Sequence, residues 1–114
     1  MARSKKITVK SEIARLNKIL SALPKEKIAV AEGLIVQAAR LRVQLNEIYA
    51  DLEENGRTEM FQQSEKVEAY ERERPAAAQF VKLDKNYQSI MKTLAEMTPA
   101  APEQSRLLEM MMDD

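Results

Sequence analysis

The sequence predicts an all-α fold, a helical hairpin or bundle with long antiparallel helices that assembles into an oligomer. Three observations predict it. Apolar residues recur at three- and four-residue steps through most of the 114 residues. Only two Gly and four Pro interrupt the chain and aromatics are 4%, too few turn formers and large β-formers for a sandwich or barrel. One helical stretch, 25–54, would run about 45 Å at 1.5 Å per residue. A compact chain of this length has a diameter of only roughly 34 Å. The molecule is therefore expected to be elongated, or to assemble with further copies.

The elements follow in order. Residues 1–7 are small and basic without periodicity, and read as a flexible arm. Thr8 or Ser11 is placed to cap a first helix, in which Ile13, Leu16, Leu20 and Leu23 share one face. Pro24 ends that helix and suits the start of the next. In the second helix Leu34, Leu41 and Ile48 interleave with Ala31, Ala38, Leu45 and Leu52, an a/d seam with steps of four and three. Further stripes through Ile28, Ile35 and Tyr49 and through Val36, Val43 and Ala50 require more than one neighbour. Gly33, near Ala29, suggests a close helix approach, and Asn55-Gly56 is the stop signal.

The stretch 57–74 is long for a plain connection and reads as a functional segment or a small β-hairpin, with strands near 58–62 and 67–71. A third helix starts at Pro75, carries Ala76, Phe80, Leu83, Tyr87, Ile90, Leu94 and Met97 on one face, and stops at Thr98-Pro99. A Pro/Ala linker and a short segment, 102–112, follow. The expected organisation is a basic arm over 1–7, a helical oligomerisation core over 8–98, and a linker with a short tail helix over 99–114.

Composition narrows the chemistry. Cys and His are both absent, so disulfide scaffolds, thiol catalysis, His-based relays and the usual zinc or haem sites are excluded. The two glycines lie far apart and form no phosphate loop. The abundant carboxylates mark no particular pair, and the run Met110-Met111-Met112 reads as adaptable apolar contact rather than a metal site. Tyr87 lies on an apolar stripe and reads as core, whereas Tyr70 stays open as a stacking surface. No catalytic residue, metal site or cofactor is expected. The longest apolar run, 28–31, is far too short for a membrane span, and the basic start lacks an apolar segment behind it, so a cytoplasmic protein is expected.

Charge is unevenly placed. The formal net charge is zero, but residues 1–42 carry +7, residues 43–73 carry −6 and residues 74–114 carry −1. Arg3, Lys5, Lys6 and Lys10 suit sequence-independent phosphate contacts, weak from one arm and additive from several.

This order of parts resembles the small subunit of tailed-phage terminase, the DNA-packaging motor. The likeness is carried by the basic start, by a long helix ending in Glu53-Glu54-Asn55-Gly56, and by a polar stretch closing on Arg74-Pro75-Ala76. It continues through Met97-Thr98-Pro99-Ala100-Ala101 and the pair Arg106-Leu107. The resemblance implies a non-enzymatic packaging adaptor in the cytoplasm of an infected bacterium, binding double-stranded viral DNA and presenting it to the large subunit. It implies DNA contacts from Arg3, Lys5, Lys6, Lys10, Arg15 and Lys18. It implies a homo-oligomeric ring built on Leu34, Leu41, Leu45, Ile48, Leu52, Phe80, Leu83, Tyr87, Ile90 and Leu94, and a large-subunit contact from Arg106, Leu107, Leu108 and Met110. The alternative on the same heptads is a helical coiled-coil interaction or regulatory protein with no nucleic-acid role.

Overall fold

The computed structural model describes residues 6–98 and 101–113. Four helices and one hairpin follow in the order α1 (Val9–Ile19), α2 (Lys25–Asn55), β1 (Thr58–Phe61), β2 (Tyr70–Glu73), α3 (Pro75–Ala95) and α4 (Ala101–Met112). Each boundary has a local cause. Thr8 caps α1 by accepting from the Ser11 amide, and the Ser11 hydroxyl accepts from the Thr8 amide in return, both at 3.0 Å. Both candidate caps thus act together. Pro24 presets the entry to α2 and Pro75 is the first residue of α3. Gly56 closes α2 with φ at 82°, a left-handed conformation that Gly adopts at little cost.

α1 packs on α2, α2 on α3, α3 on α4, and α4 back on α1. The four helices therefore pack as one bundle around a shared core. That core contains Leu16, Leu20, Leu23, Ala31, Ile35, Ala38, Leu45, Tyr87, Met91, Leu94, Ala95 and Met111. Leu16, Met91, Leu94 and Met111 are wholly enclosed. The alanines occupy the positions where large side chains would hold the helices apart.

α2 has 31 residues and α3 has 21, against 11 and 12 for α1 and α4. The long pair therefore outruns the bundle and carries the hairpin at its far end. The molecule measures 63 × 34 × 23 Å with a radius of gyration of 18.4 Å. A compact chain of this length would have about 13 Å. The expected elongation is present.

Two expectations change. The second strand is Tyr70–Glu73 and not 67–71. The reason is the turn between the strands, where the Val67 amide donates to the Ser64 carbonyl and Gln62 Nε2 donates to the Val67 carbonyl at 2.9 Å. Pairing starts only at Phe61 and Tyr70, whose rings meet edge to face with centroids 5.8 Å apart. Gly33 makes no close helix approach either. It is exposed, and a Cβ built there would meet nothing within 4 Å.

Candidate nucleic-acid interface

The basic first third divides into cations used by the fold and cations facing solvent. Arg15 belongs to the first group. Its Nε and Nη2 donate to the two oxygens of Glu12 at 2.9 and 3.0 Å. Its Nη2 also donates to the Met111 carbonyl at 2.7 Å, and its Nη1 reaches the Met110 and Asp113 carbonyls at 3.3 Å. These carbonyls lie at the C-terminus of α4, where the helix dipole favours a cation. Bonding to the Glu12 carboxylate holds the Arg15 pKa above its ordinary value. Glu12 itself is 4% exposed. The guanidinium therefore ties α1 to the end of α4, and its donors are engaged within the fold.

Lys27 plays a matching part at the other end of the bundle, donating from Nζ to the Met97 carbonyl beyond the end of α3 at 2.7 Å. Arg42 is buried on α2 and donates from Nη1 to the Tyr87 hydroxyl at 3.0 Å.

Lys6, Lys10 and Lys18 are exposed, as are Lys25 and Arg40. α1 carries four charged residues, Lys10, Glu12, Arg15 and Lys18. Glu12 is turned inward and neutralised by Arg15, so the charge that α1 shows to solvent is cationic. Arg3 and Lys5 lie outside the described residues.

The seam residues divide in the same way. Leu45, Leu52, Tyr87 and Leu94 are at most 5% exposed within one chain, so their apolar surface is already covered there. Leu34, Leu41, Ile48, Phe80, Leu83 and Ile90 are half-buried and keep surface for another neighbour. Leu41 and Ile90, with Arg40 and Asn86, border an open groove between α2 and α3.

The tail residues do not form one patch. Arg106 and Leu107 border an apolar cleft of about 370 Å³ with Ile19, Leu20 and Leu23 at the end of the bundle. Leu108 is half-buried against the core, and Met110 is 48% exposed.

At the opposite end of α2, Arg74 grips the end of the helix. Its Nη2 donates to both Asp51 oxygens at 3.1 and 2.9 Å, and its Nη1 donates to the Gly56 carbonyl at 2.7 Å. Hydrogen bonds from Asn55 and then Arg74 lower the Asp51 pKa below its ordinary 3.8. Sequence reading missed the inward turn of Arg15, although the Glu12-x-x-Arg15 spacing is that of a helical ion pair. The Asp51–Arg74 grip had no local signal, because 23 residues separate the partners.

No group of three or more Asp, Glu, His or Cys that could hold a metal ion occurs among the described residues. Among them, no helix is long and apolar enough to cross a membrane. No protein-family model, curated protein or solved structure matches the chain.

Proposed function

We propose that this chain is a non-enzymatic, oligomeric DNA-binding adaptor of the terminase small-subunit kind, binding double-stranded viral DNA for a packaging motor in a bacterial host. The observation that carries the reading is the outward charge of α1. Its one acid is buried against Arg15, and Lys10 and Lys18 remain exposed behind Lys6. The order of parts shared with that family supports the same reading. With Arg3 and Lys5, five cations form the phosphate-contacting set. Arg15, Lys27 and Arg42 are left out because their side chains bond within the fold. The contact is with phosphates and carries no base sequence.

Assembly enters through the half-buried stripe of Leu34, Leu41, Ile48, Leu83 and Ile90. Copies in a ring would bring several arms onto one duplex and raise the effective concentration of each. The large subunit of the motor is the implied partner, with Arg106, Leu107 and Met110 as its candidate contacts.

The test is fluorescence anisotropy on a 30-base-pair duplex across a salt series, beside native mass spectrometry. Five phosphate contacts per engaged chain give a log–log salt slope of about −4.5. Lys6→Gln, Lys10→Gln and Lys18→Gln together should reduce the slope by about 2.7. Absence of binding at 50 mM salt would sink the DNA reading and leave the helical interaction protein in its place. A strictly monomeric species would remove the ring.

A further inference from the structure

The far end of the molecule carries a surface that the DNA reading does not use. Strand register and alternation sort the hairpin side chains onto two faces. Glu59, Phe61, Tyr70 and Arg72 share one face, and this face satisfies itself. Arg72 Nη2 pairs with Glu59 at 2.7 Å, and the Arg72 guanidinium stacks 3.7 Å from the Phe61 ring centroid. Phe61 in turn meets Tyr70 edge to face.

Thr58, Met60, Glu71 and Glu73 share the other face. Met60 is 68% exposed there, and Glu71 and Glu73 are exposed beside it. The sheet has two strands only, so each strand keeps one edge without a neighbouring strand. Residues 57–74 as a whole carry only −1, but this face holds two carboxylates and no cation, with Thr58 Oγ1 donating to Glu71 at 3.3 Å. An uncovered apolar side chain, an open strand edge and two carboxylates thus coincide on one face of the hairpin.

We propose that this hairpin is a docking surface for a basic, extended protein segment, which adds as a third strand beside β2 with its cations opposite Glu71 and Glu73. Charge selects the occupant. A nucleic acid carries the same sign as this face, and a second copy would bring the same carboxylates against each other. A cationic segment meets neither objection.

Geometry then sets its pattern. Glu71 and Glu73 are two residues apart on one strand, so their partners on an added strand are also two apart and point to the same side. The residue between those partners lies on the opposite side, beside Arg72 and near Tyr70, where an apolar side chain fits and a cation does not. The recognised pattern is therefore basic–apolar–basic in extended backbone, with main-chain hydrogen bonds supplying affinity and the alternating side chains supplying selection. This inference is independent of DNA binding at α1, because it uses a different element and the opposite charge.

The test titrates the full ¹⁵N-labelled chain with a nine-residue peptide of alternating Lys and Val at 50 mM salt. The expected result is a saturable set of amide shifts confined to residues 57–74. Glu71→Gln with Glu73→Gln should weaken binding about tenfold, while contacts between the Phe61 and Tyr70 rings report an intact hairpin. The same peptide N-methylated along one edge should bind far more weakly, since it cannot extend the ladder. Shifts at α1 or in the Arg106 cleft would overturn the proposal. So would nonalysine binding as tightly as the alternating peptide, or no saturable binding. Hairpin shifts that follow protein concentration without peptide would assign the surface to self-association and overturn it equally.

Discussion

Replacing Arg15 separates a structural cation from a phosphate contact. In Arg15→Leu the aliphatic stem is kept in large part, and what disappears is the fork between Glu12 and the end of α4. Two losses combine. Hydrogen bonds from a charged donor to the α4 carbonyls are worth about 1.5–3 kcal/mol in all. The Glu12 side chain, 6% exposed, is left as a buried carboxylate without its cation. Breaking a fully buried pair costs about 3–5 kcal/mol. Arg15 is 29% exposed, and water reaching that side of the pair reduces the cost. A net loss of about 3–5 kcal/mol follows. With an unfolding entropy of about 2.1 cal/mol/K per residue, the melting temperature should fall by about 13–21 °C. Urea denaturation followed by circular dichroism gives the free energy, and hydrogen exchange shows α4 opening before the rest. Adding Glu12→Leu should recover part of the loss, because the stranded charge goes with it. The DNA salt slope should stay that of the parent chain. If Arg15→Leu kept its stability and instead lost about one phosphate contact from the slope, Arg15 would be a DNA ligand and the lock would be refuted.

Gly33→Ala should stabilise the chain by about 1 kcal/mol, since the helix gains propensity and the new methyl meets nothing; calorimetry showing a lower melting temperature would reveal a neighbour that α2 does not have in one chain. Leu16→Ala removes a wholly buried side chain at the meeting of α1 with the core and should cost about 3 kcal/mol, read as a lower urea midpoint at unchanged slope. Acid should loosen the hairpin before the bundle. The Asp51 pKa is lowered in the fold, so its contribution is complete above its ordinary 3.8 and disappears as pH falls through the depressed value. Amide exchange at 57–74 should therefore rise below about pH 3.8 while the α1–α4 core stays protected, and uniform exchange across both regions would refute the order.

Much of the fold was legible because its determinants are local. Thr8, Pro24, Gly56 and Pro75 each act within a few residues of the boundary they set, and the seam of α2 repeats inside one helix. The matching heptads of α2 and α3 pointed to a helical hairpin, but how the seam is shared between that partner and another copy was not legible. Periodicity says that Leu45 and Leu52 are covered, and it cannot say whether the cover comes from the same chain or another. Here the same chain covers them. The start of the second strand was misplaced by three residues because Val67 and Ala69 extend a β-like pattern that the turn at Ser64 interrupts. Basic residues hid the same ambiguity. Arg15 and Lys18 look alike in sequence, and only the position of α4 turns one inward and leaves the other in water.

Net charge describes this molecule poorly. Lys25 begins α2 and Asn55 ends it, so its 31 residues set the base and the hairpin about 46 Å apart. The Debye length at physiological salt is about 8 Å, so neither end screens the other. A zero sum is therefore compatible with an anionic partner at α1 and a cationic one at the hairpin. It also fixes how the two would behave in one chain. A long duplex held at α1 would be repelled by the acidic end, which would favour a rod standing away from the DNA rather than lying along it. Raising salt weakens both contacts, but substitutions at each end should leave the other contact unchanged. Glu71→Gln with Glu73→Gln should leave the DNA salt slope as it was, and loss of the Lys6, Lys10 and Lys18 charges should leave the peptide shifts at 57–74 as they were. Coupling between the ends would require α2 or α3 to change shape, and the continuous 31-residue helix with one closed core at its base gives no hinge for such a change.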